Sequence, residues 1–207
     1  MLFVDTLPTI SVIIPNLNGR KHLELVLSSV GEIDYPSQLV ETIVVDNGST
    51  DDSVDFVRET YPEVNVIANE RNVGYATANN QGARKAIGEY LVFLNNDMKV
   101  DKRWLLELIE ATSQKETISV GSKILSWDGR KVDYAGGGSN FYGVGFQEGY
   151  QQEDHPKFNV EGSTLFATGA SMLIRKDIFL EAGGFDDDYF AYFEDVDLGW
   201  RPVSYTH

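Results

Sequence analysis

Short unbroken apolar runs alternate along this chain with stretches in which apolar residues return every three or four positions. Residues 10–14 (Ile-Ser-Val-Ile-Ile), 42–46 (Thr-Ile-Val-Val-Asp), 64–68 and 90–94 (Tyr-Leu-Val-Phe-Leu) are runs of the first kind. Such runs suit strands buried on both faces of a parallel sheet. Between them, Leu23, Val26, Leu27 and Val30 share one helical face, and so do Val54, Val57 and Tyr61. Ala76, Asn80, Ala83 and Ile87 form a face of mostly small residues, suited to close packing on a sheet. Trp104, Leu105, Leu108, Ile109 and Thr112 mark another helix, with Asp101 as its N-cap. Residues 118–125 and a stretch inside 165–175 predict two more strands. Residues 178–182 predict a short helix closed by Gly183. The alternation predicts an α/β fold: a Rossmann-like sandwich with a mostly parallel central sheet flanked by helices.

The punctuation sharpens this picture. Pro15 is expected to stop the first strand. Gly48 permits a sharp turn after the second, where Ser49 and Asp52 resemble a helix N-cap signature. Residues 127–159 are rich in Gly, Tyr, Gln and charge and predict an irregular excursion. The run 90–94 ends abruptly in Asn95-Asn96-Asp97, at the strand edge where open α/β sheets bind ligands. A carboxylate there can hold a divalent cation through hard oxygen ligands, and the cation can hold phosphate. A polar turn that merely follows a strand would look the same.

The 207 residues suffice for one sizeable core. There are no cysteines, which excludes disulfides, zinc–thiolate sites and cysteine nucleophiles. No apolar run approaches the ~20 residues that span a bilayer. The first residues lack the basic start and apolar core of a signal peptide, so a cytoplasmic location is expected. The formal net charge of -15, without a basic stripe, argues against nucleic acid as a partner. It would also repel an anionic nucleotide unless a cation mediates.

Three acidic positions stand out: Asp46, Asp97 and the group Glu194-Asp195-Asp197. Asp46 ends the second strand, as does the acid that bonds ribose or base in nucleotide folds; helix capping is the plainer reading. Glu194 and Asp195 lie beside Tyr192, Phe193 and Trp200, an apolar setting that raises a carboxyl pKa and makes a stronger base. They also suit a helix N-terminus, where acids meet the macrodipole. Asp186-Asp187-Asp188 lacks the order of a calcium loop and reads as a solvated turn. His22, His155 and His207 are too dispersed for a zinc site. Neither a dinucleotide glycine fingerprint nor a Walker A loop follows the first strand.

Five motifs together resemble the family 2 glycosyltransferases of GT-A fold. They are Val12-Ile13-Ile14-Pro15, Val44-Val45-Asp46-Asn47-Gly48-Ser49-Thr50-Asp51, Asn72-Val73-Gly74-Tyr75-Ala76 with Asn79, Phe93-Leu94-Asn95-Asn96-Asp97, and Phe193-Glu194-Asp195-Val196-Asp197-Leu198. The pattern is most similar to rhamnosyltransferase-like members that build bacterial or archaeal surface polysaccharides. The resemblance implies that Pro15, Asn16 and Asp46 line a nucleoside pocket, and that Asn72, Gly74 and Asn79 border the donor's ribose and diphosphate. Asn95, Asn96 and Asp97 stand at the family's Asp-x-Asp motif, so Asp97 would be the principal ligand of Mg2+ or Mn2+. Asp195 would be the catalytic base, with Glu194 orienting it or touching the acceptor. The implied reaction is an inverting transfer from a UDP- or dTDP-linked sugar to a hydroxyl of a glycan or lipid-linked acceptor.

The resemblance also frames the domain: residues 1–200, with a nucleotide-binding half near 8–115 and an acceptor-side half near 116–200. Beyond Trp200 the chain departs from the family pattern. Pro202 is expected to break the helix that relatives continue, which makes 201–207 a disordered or foreign tail and the chain a C-terminally interrupted one. Peripheral membrane association of a longer form, and self-association through uncovered apolar surface, are further expectations. Two other classes compete: a sugar nucleotidyltransferase, which should carry a glycine-rich basic loop after the first strand, and a binding module that keeps the fold without the chemistry.

Overall fold

The computed structural model describes residues 7–113, 117–141 and 144–205, the last four as backbone alone. Six strands form one sheet in the order β3-β2-β1-β4-β10-β5. These are β1 (Ile10–Asn16), β2 (Val40–Asp46), β3 (Asn65–Ala68), β4 (Tyr90–Leu94), β5 (Ser119–Gly121) and β10 (Ser171–Arg175). β1 pairs in parallel with β2 and with β4, and β2 with β3. β10 runs antiparallel to both β4 and β5. The second half of the chain thus extends the sheet of the first.

Helices α1 (Arg20–Gly31), α2 (Ser53–Thr60), α3 (Tyr75–Lys85), α4 (Trp104–Ala111), α5 (Lys176–Glu181) and α6 (Glu194–Tyr205) surround it. Strand alternation divides the core in two. Val12, Ile14, Val92 and Leu94 pack with Leu23 and Val26 of α1 and Leu105 of α4. Ile13, Val45, Leu91 and Phe93 pack with Ala76 and Ala83 of α3 and Phe179 of α5. The rings of Phe93, Phe179 and Phe185 meet at centroid separations of 4.8–5.2 Å. No helix among the described residues is long and apolar enough to cross a membrane.

Several boundaries differ from expectation, each for a physical reason. β1 runs through Pro15 to Asn16. Its last pair with β4 is Ile13↔Phe93, so Pro15 has a strand on one side alone, the setting that tolerates a strand proline. Ile87 is 80% exposed because α3 ends at Lys85 and Ala86 turns the chain away. Asp101 accepts the Arg103 N–H at 2.9 Å, but α4 begins later, with Arg103 in the N-cap place. The stretch 118–125 splits into β5 and β6 (Ile124–Leu125). The strand sought in 165–175 begins only at Ser171. The excursion is less irregular than expected: β6 pairs with β7 (Val132–Tyr134), and β8 (Gly137–Ser139) pairs with β9 (Gly145–Gln147).

The expected helix break at Pro202 is corrected as well. α6 does not break before Pro202 but continues to Tyr205. A proline there removes one helical hydrogen bond while the helix is held upstream. Arg201 donates to the carbonyls of Ala182 and Gly184, both at 2.7 Å, and pairs with Asp197 at 2.9 Å. His207 lies outside the described residues.

Candidate active site at the carboxyl edge of the sheet

Strand order reverses between β1 and β4, each the parallel neighbour of the other but with connections leaving in opposite directions. That is where open α/β sheets form a crevice. Asn16, Asp46 and Asn95 all fall at or just past the carboxyl ends of their strands. Asn16 Nδ2 donates to Asp46 Oδ2 at 2.9 Å, and Asn96 Nδ2 donates to Asn16 Oδ1 at 2.8 Å. One largely buried polar chain therefore ties the ends of β2, β1 and β4.

Asp46 is saturated. Its Oδ1 accepts the Gly48 and Ser49 N–H groups at 3.1 and 2.9 Å, and its Oδ2 accepts the Ser49 hydroxyl at 2.6 Å. Ser49 is thereby diverted from the helix cap expected of it. Its Oγ also accepts the Asn18 N–H at 2.8 Å, joining the loops that follow β1 and β2. The visible work of Asp46 is to shape this turn; Pro15 is buried in β1 beside it.

The segment before α3 is set by Asn72 and Gly74. Asn72 Oδ1 accepts the Gly74 N–H at 2.9 Å. Gly74 has a φ of 92°, and a Cβ there would stand 2.7 Å from the Phe190 carbonyl oxygen. Glycine is needed on both counts. Asn79 does not reach the cleft surface. It is 0% exposed, and its Nδ2 bonds back to the Tyr75 carbonyl at 3.1 Å.

Asp97 is exposed in the turn after β4. It lines the same cleft as Asp195, a volume of about 1320 Å³. The two acidic groups also meet in their effect on Tyr75. Burial raises its hydroxyl pKa first, then Glu194 and Asp195, and more weakly Asp97. Backbone contacts complete the link: Asn95 N–H donates to the Ala170 carbonyl at 3.1 Å, and Gly169 N–H donates to Asp195 Oδ2 at 2.9 Å.

Glu194 and Asp195 open α6, so they occupy a helix N-terminus and a buried site at once. Burial, then the neighbouring Asp195 charge, pushes Glu194 up to about 7. Burial also raises Asp195, against the opposing effect of the N–H groups of Gly169 and Val196. The apolar neighbours expected from the sequence are not the cause. Tyr192 is 81% exposed, and Phe193 and Trp200 are exposed too. The buried surroundings come from remote residues, Tyr75 and Gly169. A Cβ on Gly169 would stand 3.2 Å from the Tyr75 hydroxyl and 3.4 Å from Glu194 Oε1. Sequence spacing gave no sign of Gly169; it lies 26 positions from the carboxylate it serves. Asp186–Asp188 is indeed an exposed turn, tied to α3 where Asp187 Oδ1 accepts from Thr77 and Asn80 at 2.8 and 3.0 Å.

The donor set fits a hard divalent cation. Asp97 offers an exposed carboxylate, and Asn95 Oδ1 in the same turn is buried without a hydrogen-bond partner. Among the described residues no three His, Cys, Asp or Glu side chains form a cage. A cation held by one carboxylate takes its other ligands from phosphate and water, as Mg2+ commonly does.

A mostly parallel sheet with carboxylates and amides gathered at its carboxyl edge defines a GT-A-type α/β domain. The chain belongs to glycosyltransferase family 2, whose sequence model (Glycosyl transferase family 2) matches residues 11–183. It is 32% identical over 207 residues to the O-antigen biosynthesis protein RfbC of Myxococcus xanthus, covering 94% of this chain and 16% of that protein. It is 27% identical over 221 residues to N-acetylglucosaminyl-diphospho-decaprenol L-rhamnosyltransferase of Mycobacterium tuberculosis H37Rv, covering 95% of this chain and 70% of that one. Among solved structures, the mannosyltransferase PcManGT from Pyrobaculum calidifontis, in complex with GDP-Man and Mn2+, superposes with a TM-score of 0.71 at 21% identity. That match covers 94% of this chain and 52% of the mannosyltransferase. The chain thus spans only part of the proteins it resembles.

Proposed function

We propose that this domain transfers a sugar, with inversion, from a nucleotide-linked donor to a hydroxyl of a glycan or lipid-linked acceptor in surface polysaccharide synthesis. The observation that carries the reading is the single cleft shared by Asp97 and Asp195. The names of the relatives support the setting: one serves O-antigen biosynthesis, and the other names a decaprenol-linked acceptor. Such an acceptor would bring the protein to the cytoplasmic face of a membrane.

Asp195 is the better base of its pair. It already receives the N–H of Gly169, which favours the ionised form, whereas Glu194 Oε2 is buried without a partner. Two adjacent buried carboxyls do not both ionise readily, so the shared proton rests on Glu194 and leaves Asp195 charged. Asp195 then removes the proton of the acceptor hydroxyl. The acceptor oxygen forms a bond to the anomeric carbon as the bond to the diphosphate breaks on the opposite face. Asp97 would hold Mg2+ or Mn2+ beside the diphosphate; when bound, the cation offsets the negative charge growing on the leaving group. Asn16, Asp46 and Asn96 fix the floor on which the nucleoside rests, and Asn72 and Gly74 border its diphosphate. Glycosidase action fits poorly, because Glu194 and Asp195 are adjacent rather than across a bond at roughly 5–10 Å.

The test is calorimetric titration with UDP, dTDP and GDP, with and without Mn2+, on the native chain and on Asp97→Ala. Binding that requires both the metal and Asp97 is expected for one of the three. Metal-independent binding of equal strength in both proteins would refute the assignment of Asp97.

A further inference from the structure

Residues 166–170 form a buried segment that belongs to no strand or helix. Phe166, Ala167 and Thr168 are almost wholly covered. A buried irregular backbone must find partners for its polar groups outside any ladder. Here two carbonyls are met by tyrosine hydroxyls from separate elements. Tyr75, the first residue of α3, donates to the Gly169 carbonyl at 2.8 Å. Tyr134, the last residue of β7, donates to the Phe166 carbonyl at 2.5 Å. The Ala170 carbonyl accepts from Asn95, and the one N–H aimed at an acid, that of Gly169, goes to Asp195.

We infer that Tyr75 and Tyr134 are positioning residues for Asp195, acting through the 166–170 segment that their hydroxyls hold in place. The inference deepens the proposed function and rests on Asp195 being the base. Gly169 joins the two, since its carbonyl is held by Tyr75 while its N–H holds the carboxylate. Glu194, Asp195 and Asp97 all act on the Tyr75 hydroxyl, and Asp195 acts on Tyr134. The geometry that joins them is the 166–170 backbone itself, which Tyr75 and Tyr134 hold by its carbonyls and Asp195 by the Gly169 N–H. Burial raises both phenols, Tyr134 to about 12, so each remains a hydrogen-bond donor throughout the working pH range. Tyr75 also begins the helix that Asn72 and Gly74 introduce. It thus links the Asn72–Gly74 segment to the backbone that holds Asp195.

The experiment needs no substrate. The Asp195 carboxyl is titrated by carbon-13 NMR in the native chain, in Tyr75→Phe and in Tyr134→Phe, with Asp195→Asn fixing the assignment. Amide exchange at Gly169 is followed in parallel. Loosening Gly169 weakens a bond that favours the charged carboxylate, so the Asp195 midpoint should move to higher pH in Tyr75→Phe. The Gly169 amide should exchange roughly tenfold faster. Tyr134→Phe should move both readings the same way. Gly169→Ala, whose new methyl crowds the Tyr75 hydroxyl, should also raise the midpoint, and in the double variant with Tyr75→Phe the shifts should not add. An unchanged midpoint and unchanged Gly169 exchange in a folded Tyr75→Phe protein would overturn the inference. If that variant does not fold, Gly169→Ala decides: an unmoved Asp195 midpoint overturns it equally. A moved midpoint in a protein that transfers no sugar would leave the positioning intact and count against the proposed function alone.

Discussion

Glu194 and Asp195 are adjacent in sequence yet differ in what surrounds each oxygen, and the difference predicts different mutant behaviour. On the proposed mechanism Asp195→Asn would remove the base and leave Asp97 and the Asn16–Asp46 floor in place, so transfer should fall by roughly 10²–10⁴-fold with nucleotide affinity kept. Because the Asp195 pKa is raised, the acid limb of activity should lie above the usual aspartate range, with the rate climbing as pH rises through it. A kcat profile against pH checks this. Glu194 makes a prediction about stability instead. Its folded pKa, pushed up to about 7 from 4.5, means the folded state binds the extra proton between those values. Stability therefore falls as pH rises from about 4.5 to 7, by up to about 3 kcal/mol, and levels off above. Glu194→Gln should flatten that slope in urea titrations at pH 5 and pH 8; an unchanged slope would place the proton elsewhere. The acids themselves were legible in the sequence because each follows a strand or opens a helix. Their environment was not. The aromatics beside them in sequence point outward, since Tyr192 and Phe193 take positive φ of 72° and 69°, and the residues that bury them come from far along the chain.

At the scale of elements, α3 shows what pattern can and cannot reveal. Its small face lets it lie close on the sheet, and Gly82 marks the nearest approach. A Cβ there would meet Ile13 Cγ2 at 2.5 Å and Val45 Cγ2 at 3.2 Å. In an open helix, Gly→Ala would gain about 1 kcal/mol of propensity. Here overpacking should cost about 1–3 kcal/mol and win, so Gly82→Ala should lower the denaturation midpoint. A raised midpoint would mean the helix has room to move. The period of the pattern identified the strands and helices of the first half well, because buried parallel strands write long apolar runs. It did less well after residue 118. There β5 to β9 are only two or three residues long, too short for a period to register, and β10 alone reaches five. Ser49 and Pro15 misled for a related reason. Each has a local preference, for a cap and for a strand end, that its actual partners override: the Asp46 carboxylate and the Asn18 N–H for Ser49, and the one-sided pairing of β1 for Pro15.

For the whole molecule, the formal charge of -15 and the exposed aromatics pull in opposite directions. Tyr192, Phe190 and Phe193 lie on the surface within four positions, with Trp200 farther along the same chain end. Exposed apolar surface of this kind favours association. The net negative charge opposes it over a Debye length of about 30 Å in 10 mM salt, but only about 10 Å in 0.1 M. Salt should therefore promote association, the reverse of its effect on contacts made by ion pairs. Sedimentation velocity should find a monomer at low salt and a concentration-dependent heavier species as salt rises. Tyr192→Ser combined with Phe193→Ser should suppress that species with the fold retained, because both side chains already face solvent. A monomer at every salt and concentration would show that the charge dominates throughout. The same balance bears on the cleft: an anionic donor meets repulsion from the whole molecule, and added salt without a divalent ion should relieve only that long-range part. On the proposed reading, the binding that remains at high salt with Mn2+ present should disappear in Asp97→Ala.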